Sequence, residues 1–399
     1  MVTDHSGDQA RSGPLAGVRV VELAGIGPGP FCAMLLADLG AEVIRVDRPG
    51  SAPLPVSPGT DVTSRGKRRV VVDLKHPRGA EVVLRLAAAS DALLEGYRPG
   101  VAERLGVGPA ACWARNPALV YGRMTGWGQD GPIAQSAGHD IAYIAVTGAL
   151  HAIGRAGGPP QVPVNYLGDF GGGSMFLALG VLAALLQARQ TGRGQVVDAA
   201  IVDGAAVLQA MTYGLLAGGA WTDERGANLL DTGAPFYDVY ETADGRHMAV
   251  GALEPAFYRR FVELLFAPEG PPDGLPDQQD RAGWPLLRRV FAQRFARRSR
   301  QEWAKVFEGS DACVAPVLSM SEAPAHPHLA ARGTFTEVAG VVQPAPAPRF
   351  TRAADGAGGI SALEPGRIAR PGAHTREVLT ALGFGDVTEL LADGAVWQA

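Results

Sequence analysis

The sequence predicts an α/β protein with a large parallel-sheet domain followed by a smaller α+β domain, and three observations carry that prediction. A buried-type strand, "RVVELA" (19–24), is followed by a helical run closed by Gly40 and a second strand, "AEVIRVD" (41–47), within the roughly 30 residues that a βαβ unit needs. The alternation then repeats, with strands expected at "RRVVVDL" (68–74), "ALLEGY" (92–97) and "ALVYGRM" (118–124) and helical stretches such as "GAEVVLRLAAAS" (79–90) between them. Such a pattern reads as a Rossmann-like parallel sheet with helices on its faces. Past about Ala206 the character changes to a hairpin-like run, "FYDVYETADGRHMAVGAL" (236–253), that feeds three helical runs.

In order, residues 1–12, "MVTDHSGDQARS", are polar and lack an apolar stretch, so they are expected to be a disordered tail with no signal peptide. Residues 13–206 form the large domain. Its last part comprises Asp169, three glycines, a helix from Met175 to Arg189 and a strand "QVVDAAIVD" (195–203). The apolar run "MFLALGVLAALL" (175–186) is shorter than the roughly 18–20 residues of a membrane span and is expected to be a buried helix. A linker, 207–226, leads to the small domain, 227–327, where Ser299 and Glu302 form a capping-box pattern ahead of "RQEWAKVF". Residues 328–399 return through an extended segment, "VVQPAPAPRFTRAADGAGG" (341–359), to a terminal helix, "PGAHTREVLTALGF" (371–384), expected to pack on the large domain.

Composition excludes several classes. A formal charge of −4, 7% aromatics and no long single-sign run speak against a nucleic-acid surface or a polybasic membrane patch, which leaves a small molecule as the expected partner. Cys32, Cys112 and Cys313 are widely separated and lack metal-ligand spacing, so neither a disulfide framework nor a zinc site is expected and a cytoplasmic location fits.

Three segments carry candidate chemistry: "AGHDIAY" (137–143) with His139, "VNYLGDFGGGSMF" (164–176) with Asp169, and "VGALEP" (250–255) with Glu254. Each sets a titratable group among glycines and apolar residues, where lost hydration moves a pKa towards neutrality and suits general acid/base work. Each also admits a structural reading: His139 as a helix N-cap or core histidine, Asp169 as a cap near Ser174, Glu254 as a helix N-terminal carboxylate. The loop "GIGPGP" (25–30) fails as a dinucleotide fingerprint, because its third glycine position is Pro30 and its prolines lack the N–H groups that cradle pyrophosphate. Arg48, just past the second strand, suits a phosphate monoester instead.

Together with "GPLAGVRVVELAGIGPGPFCAMLLADLGAEVIRVDRPG" (13–50), "LLEGYRPGVAERLG" (93–106) and "YGRMTGWGQDGP" (121–132), these segments resemble the family III CoA-transferase (CaiB/BaiF-like) superfamily over roughly Gly13–Val378. They are most similar to its α-methylacyl-CoA racemase branch. The resemblance implies an acyl-CoA substrate with no separate cofactor, a role in lipid and fatty acid metabolism, and an interlocked homodimer. It makes His139 the acid/base on one face of the α-carbon, oriented by Glu254 from the small domain, and Asp169 its counterpart on the other. The backbone N–H of Asp140 would serve the enolate oxygen, and Gly138 and Tyr143 would lie near the thioester. Arg48, Lys75, Gly96, Tyr97, Arg98 and Arg104 would line the CoA site. The alternative within the superfamily is a CoA-transferase in which Asp169 is the nucleophile and becomes an acyl anhydride. Against it stand "GHD" with "GALEP" and the lack of a glycine-run loop near "DTGAPFYDVY" (231–240). A non-catalytic CoA-binding protein is a third reading, which would gain nothing from burying unpaired carboxylates.

Overall fold

In the computed structural model, which describes residues 13–50, 59–351, 360–361 and 364–399, the chain divides into two units. The tail expected at residues 1–12 lies outside the described residues. The first unit runs to Thr147, resumes over Val164–Leu208 and again from Ala330; the second comprises Gly148–Pro163 and Gln209–Leu329.

The first unit is built on six parallel strands, β1 (Arg19–Leu23), β2 (Glu42–Asp47), β3 (Lys67–Val72), β4 (Ala92–Glu95), β5 (Val120–Thr125) and β6 (Val196–Ala200), in the order β3-β2-β1-β4-β5-β6. Because helices cover both faces, the central strands are apolar runs and not alternating ones. Val20, Val43, Leu94 and Val120 pack on one side with Leu36, Leu177 and Val181; Val21, Ile44, Leu93 and Tyr121 pack on the other with Val82 and Leu86. The covering helices are α1 (Pro28–Asp38), α2 (Gly79–Ala88), α3 (Val101–Arg104), α4 (Pro109–Trp113) and α5 (Asp140–Val146). The short α6 (Ala149–Ala152) falls in the second unit, and the first resumes with α7 (Met175–Thr191) and α8 (Ile201–Val207).

Two expectations need correction here. The last parallel strand ends at Ala200, not Asp203, because Ile201 already opens α8 and the Val202 N–H donates to Gly126 O at 3.1 Å. The helix expected to be buried is only half so: Leu177, Ala178, Val181, Ala184, Leu185 and Ala188 face the sheet, while Met175, Leu179 and Leu186 are exposed. With the helical turns leading into it, the run Val164–Thr191 is 28 residues and, by length and composition alone, long and apolar enough to cross a bilayer.

The second unit has α9 (Ala210–Ala217), in the stretch expected as a linker, and an antiparallel hairpin of β7 (Tyr237–Glu241) and β8 (His247–Gly251). It continues with α10 (Pro255–Leu265), α11 (Trp284–Phe295), α12 (Arg300–Phe307) and β9 (Val314–Pro316), the last pairing with β8. An aromatic core of Phe236, Tyr240, Phe261, Phe291, Phe295, Trp303 and Phe307 holds it together, and the Ser299–Glu302 capping box is formed. The segment Gly148–Pro163, expected in the large domain, belongs to this unit. Arg225 donates to the carbonyls of His151 and Gly158, at 2.6 and 2.5 Å, and Arg155 pairs with the buried Asp238.

The return segment contains α13 (Pro327–Arg332) and a hairpin of β10 (Phe335–Val338) and β11 (Val341–Pro344), where an extended run was expected from residue 341. A second short pair follows, β12 (Phe350–Thr351) with β13 (Ile360–Ser361), while residues 352–359 lie outside the described ones. Arg65 ties this segment to α1 by donating to Asp38 Oδ1 at 3.0 Å and to Gln343 Oε1 at 3.0 Å. The C-terminal helix is α14 (Thr375–Ala381), followed by α15 (Val387–Ala392) and by β14 (Val396–Trp397), which pairs antiparallel with β3. Val378, Leu379, Val387 and Leu390 enter the core of the large sheet.

Under the loop after β1 lies a network of buried charges: Glu22, Arg45, Asp47, Lys67 and Arg69, none more than 2% exposed. Lys67 Nζ donates to Glu22 Oε2 at 2.6 Å and to Pro30 O at 2.8 Å. Arg45 pairs with Glu22 and, at 3.0 Å, with Asp47 Oδ1, and Arg69 grips both oxygens of Asp47 at 2.8 Å. Removing one member leaves a charge desolvated without its partner, which costs about 3–5 kcal/mol. Lys67→Met is therefore expected to lower unfolding stability by about that amount in denaturant titration; a loss below about 1 kcal/mol would mean that Arg45 alone compensates Glu22.

Candidate active site

Strand order reverses between β1 and β4, so the connections leaving these two neighbours diverge and open a crevice at the carboxyl ends of the strands, where open α/β sheets bind ligands. A cleft of about 580 Å³ lies there. It is lined by the ends of β1, β4 and β5, by the loop Gly25–Pro30 and by Gly138, His139, Tyr143, Asn165 and Asp169.

His139 is the N-cap residue of α5, with extended backbone (φ −135°, ψ 167°), and its side chain makes no capping bond. The cap reading thus holds for the backbone alone and leaves the imidazole in the cleft wall. The next residue, Asp140, turns inward: its buried Oδ1 accepts the Asp169 N–H at 2.6 Å and locks the two chemistry-bearing segments together. The Asp140 N–H sits at the first position of α5, where no intrahelical acceptor exists.

Asp169 lies in a π-helical turn (Leu167–Ser174) leading into α7. Burial raises its pKa, as does the Asp140 carboxylate, while the Asn165 amide and the His139 imidazole pull it back. Asn165 Nδ2 donates to Asp169 Oδ2 at 3.3 Å. Gly27, at φ +70°, closes this end: a Cβ there would be 3.1 Å from Asp169 Oδ2, so a side chain would both strain the loop and crowd the carboxylate.

Tyr143 forms the wall between. Its hydroxyl donates to Gly138 O and its ring meets Trp127 edge-on, with centroids 4.7 Å apart. The ring lies so close to the chain that a Cβ on Gly126 would be 1.9 Å from Tyr143 Cζ. Burial raises the Tyr143 pKa, assisted by Asp169 and opposed by Arg98.

At the other end Arg48, Gly96, Tyr97 and Arg98 line the cleft together, and the Arg48 guanidinium lies 5.5 Å from the Tyr97 ring centroid. Of the other expected CoA contacts, Lys75 sits in the exposed turn after β3 and Arg104 at the exposed end of α3; neither lines this cleft. Glu254 is in the second unit, exposed at the N-cap of α10, with no side-chain capping bond. Glu95, Trp127 and Asn165 line the cleft and escaped the sequence reading. Asn165 stands four residues before Asp169, but its own backbone is non-helical at a kink, so no local spacing rule pointed to the pair. Among the described residues no group of three His, Cys, Asp or Glu side chains is placed to hold a metal ion.

The model of CoA-transferase family III matches residues 15–368. The α-methylacyl-CoA racemase of Homo sapiens is 46% identical over 373 residues, 93% of this chain and 94% of that protein. The succinyl-CoA:glutarate CoA-transferase of Homo sapiens is 30% identical, over 96% of this chain and 90% of that protein. Among solved structures, a CAIB/BAIF family protein from Brucella suis superposes with a TM-score of 0.77 at 25% identity, over 93% of this chain and 99% of that one. With its reversed sheet order, its cleft at the reversal and this match along nearly its whole length, the chain belongs to CoA-transferase family III.

Proposed function

We propose that this protein is an α-methylacyl-CoA racemase, interconverting (R)- and (S)-2-methylacyl-CoA by 1,1-proton transfer through an enolate. The observation that carries this is that His139 and Asp169 line one cleft, close enough for the imidazole to act on the carboxylate's ionisation. Inverting a carbon next to a thioester needs a base on one face and an acid on the other, and His139 and Asp169 are two acid/base side chains of that cleft that can share the task. A carboxylate pushed up by burial is a better match to a weakly acidic C–H than an ordinary surface aspartate.

In this mechanism one of the pair takes the α-proton, the electron pair moves onto the thioester oxygen, and the other delivers a proton to the opposite face. Charge on that oxygen is met by the Asp140 N–H, a preorganised donor of the kind that supplies much of the rate in enolate chemistry. Arg48, Tyr97 and Arg98 hold the CoA arm, with the arginine forks suited to phosphate. Glu254 is assigned, from the resemblance, the task of orienting His139. CoA belongs to the substrate, so no further cofactor is required. A homodimer is part of the proposal and is supported by the exposed Met175, Leu179 and Leu186 of α7. A cytoplasmic site of action in lipid metabolism completes it.

The second reading, CoA transfer through an Asp169 anhydride, is favoured by the same half-buried carboxylate at the cleft. The two part on covalency. In heavy water, each enantiomer of a 2-methylacyl-CoA should gain deuterium at the α-carbon and invert, and mass spectrometry after a hydroxylamine quench should find no Asp169 hydroxamate; a hydroxamate, or CoA passing to a free carboxylate, would establish the transferase. Asp169→Ala should abolish inversion while leaving exchange of the one enantiomer whose proton faces His139.

Replacing Arg98 by Ala should weaken CoA binding by about 1.5–3 kcal/mol, the scale of a hydrogen bond to a charged group; calorimetry showing unchanged affinity would remove Arg98 from the CoA site. Removing the Asn165 amide takes away a donor that favours ionised Asp169, so its pKa must rise. The acid limb of kcat/KM, in the direction where Asp169 is the base, should move up in Asn165→Ala by no more than about one pH unit, the equivalent of one net hydrogen bond. A limb that stays put or moves down would show that Asn165 does not act on Asp169.

A further inference from the structure

Glu95 ends β4 at the cleft, 4% exposed, and the mechanism above gives it no part. Its Oε2 accepts the Tyr97 N–H at 2.6 Å, closing the turn from which Tyr97 and Arg98 project. Its Oε1 lies 3.5 Å from Arg123 Nε, beyond a proper hydrogen bond, and that buried Nε has no other partner. Arg123 spends its terminal nitrogens elsewhere, on Glu103 and, at 2.7 Å, on Gln129 Oε1. The carboxylate is therefore buried, tied to the ligand loop and incompletely neutralised.

We propose that Glu95 is the positioning residue for the CoA arm: its ionised carboxylate holds the Tyr97–Arg98 turn in the ligand-receiving conformation, and CoA affinity falls when it takes up a proton. This rests on the reading that Tyr97 and Arg98 receive CoA. An ionised acceptor holds an N–H about twice as strongly as a neutral one, so the turn loosens on protonation. Burial pushes the Glu95 carboxyl up to about 7, which places that change in the neutral range. The groups facing it are Tyr97 on its own loop, Arg123 and Tyr121 on β5, Glu103 on α3 and Asp198 on β6, while Glu22 of neighbouring β1 pairs in register with Leu94 and so points to the other face of the sheet, where Arg45 and Lys67 neutralise it. Of the facing groups, Arg123 opposes the rise by charge, while Glu103 and Asp198 add to it.

Two trends then run in opposite directions. Because the folded pKa exceeds that of an exposed glutamate, this group's contribution to fold stability is present at low pH and lost as pH rises through about 7. Its contribution to CoA affinity is absent at low pH and gained over the same range. A residue that served the fold alone would show the first trend without the second.

The test is calorimetric titration of free CoA into the full-length protein from pH 6 to 8.5, for wild type, Glu95→Gln and Arg123→Gln, with thermal unfolding of each. The CoA phosphate titrates in all three, so the ratio between proteins reads the side chain. Wild-type affinity should gain about fivefold over Glu95→Gln across this range, the difference between a charged and a neutral acceptor, with Glu95→Gln no less thermally stable than wild type at pH 8. Arg123→Gln should move the wild-type midpoint upward, and this arm stands even if Glu95→Gln does not fold. Parallel profiles for wild type and Glu95→Gln, or an unmoved midpoint in Arg123→Gln, overturn the proposal while CoA binding stands; a wild type that binds no CoA at any pH overturns the CoA reading and the proposal together.

Discussion

The structure depends first on the compensation of five charges buried beneath the loop that follows β1. Each carboxylate in that network meets two cations: Glu22 meets Arg45 and Lys67, and Asp47 meets Arg45 and Arg69. Desolvating a charge costs several kcal/mol, so the arrangement survives only because no member is left alone. Its yield is positional. The segment 25–30 is rich in glycine and proline and its last three residues open α1, where proline supplies no N–H; Arg45 donates to Gly25 O at 3.3 Å and Lys67 to Pro30 O at 2.8 Å, which pins it from below. The neighbouring Cys32 is buried with it and its pKa is pushed up to about 12, so it sits there as an inert thiol and not as a nucleophile.

Above that base the site obtains two kinds of carboxylate from one residue type. Asp140 is buried and uses an oxygen on a backbone N–H, which makes it a brace between α5 and the turn carrying Asp169. Asp169 faces the cleft with the Asn165 amide as its side-chain donor and the His139 imidazole near it, and burial raises its pKa. Environment and not identity separates the brace from the proton carrier. The tight turns are equally specific: at Gly126 the Tyr143 ring leaves no room for a side chain, and at Gly27 a positive φ and the nearby Asp169 carboxylate both disfavour one.

Much of this was legible in the sequence, for physical reasons that differ by element. The parallel strands could be read because a strand covered on both faces is a largely apolar run, as "VVEL" and "VVVDL" are apart from one acidic residue each. The end of β6 could not, since "AAIV" suits a strand and a helix alike and only the bond from Val202 to Gly126 O decides. His139, Asp169, Tyr97 and Arg98 were found through the segments that hold them. Trp127 and Glu95 were not, because nothing local distinguishes a cleft-facing tryptophan or a strand-end glutamate from a core one; their meaning comes from partners on other strands. The helix α9 was missed because its sequence, "AMTYGLLA", has no polar face to give it a period.

The antiparallel β14 has a consequence for how the molecule is made. Without it and the residues around His374 and Thr375, which bond the backbone of Arg69 and Val71, β3 would be an open edge with unpaired backbone groups, a template for other chains. Val396 pairs with Val72, so the edge stays bare on the ribosome while the whole second unit and the return segment emerge. The large sheet is thus a structure whose first strands are synthesised early and whose closing strand comes late, a connectivity that folds slowly and rewards any factor that shields the waiting edge. For the same reason, loss of the packing of Val378, Leu379, Val387 and Leu390 would first be felt far away in sequence, as self-association through β3.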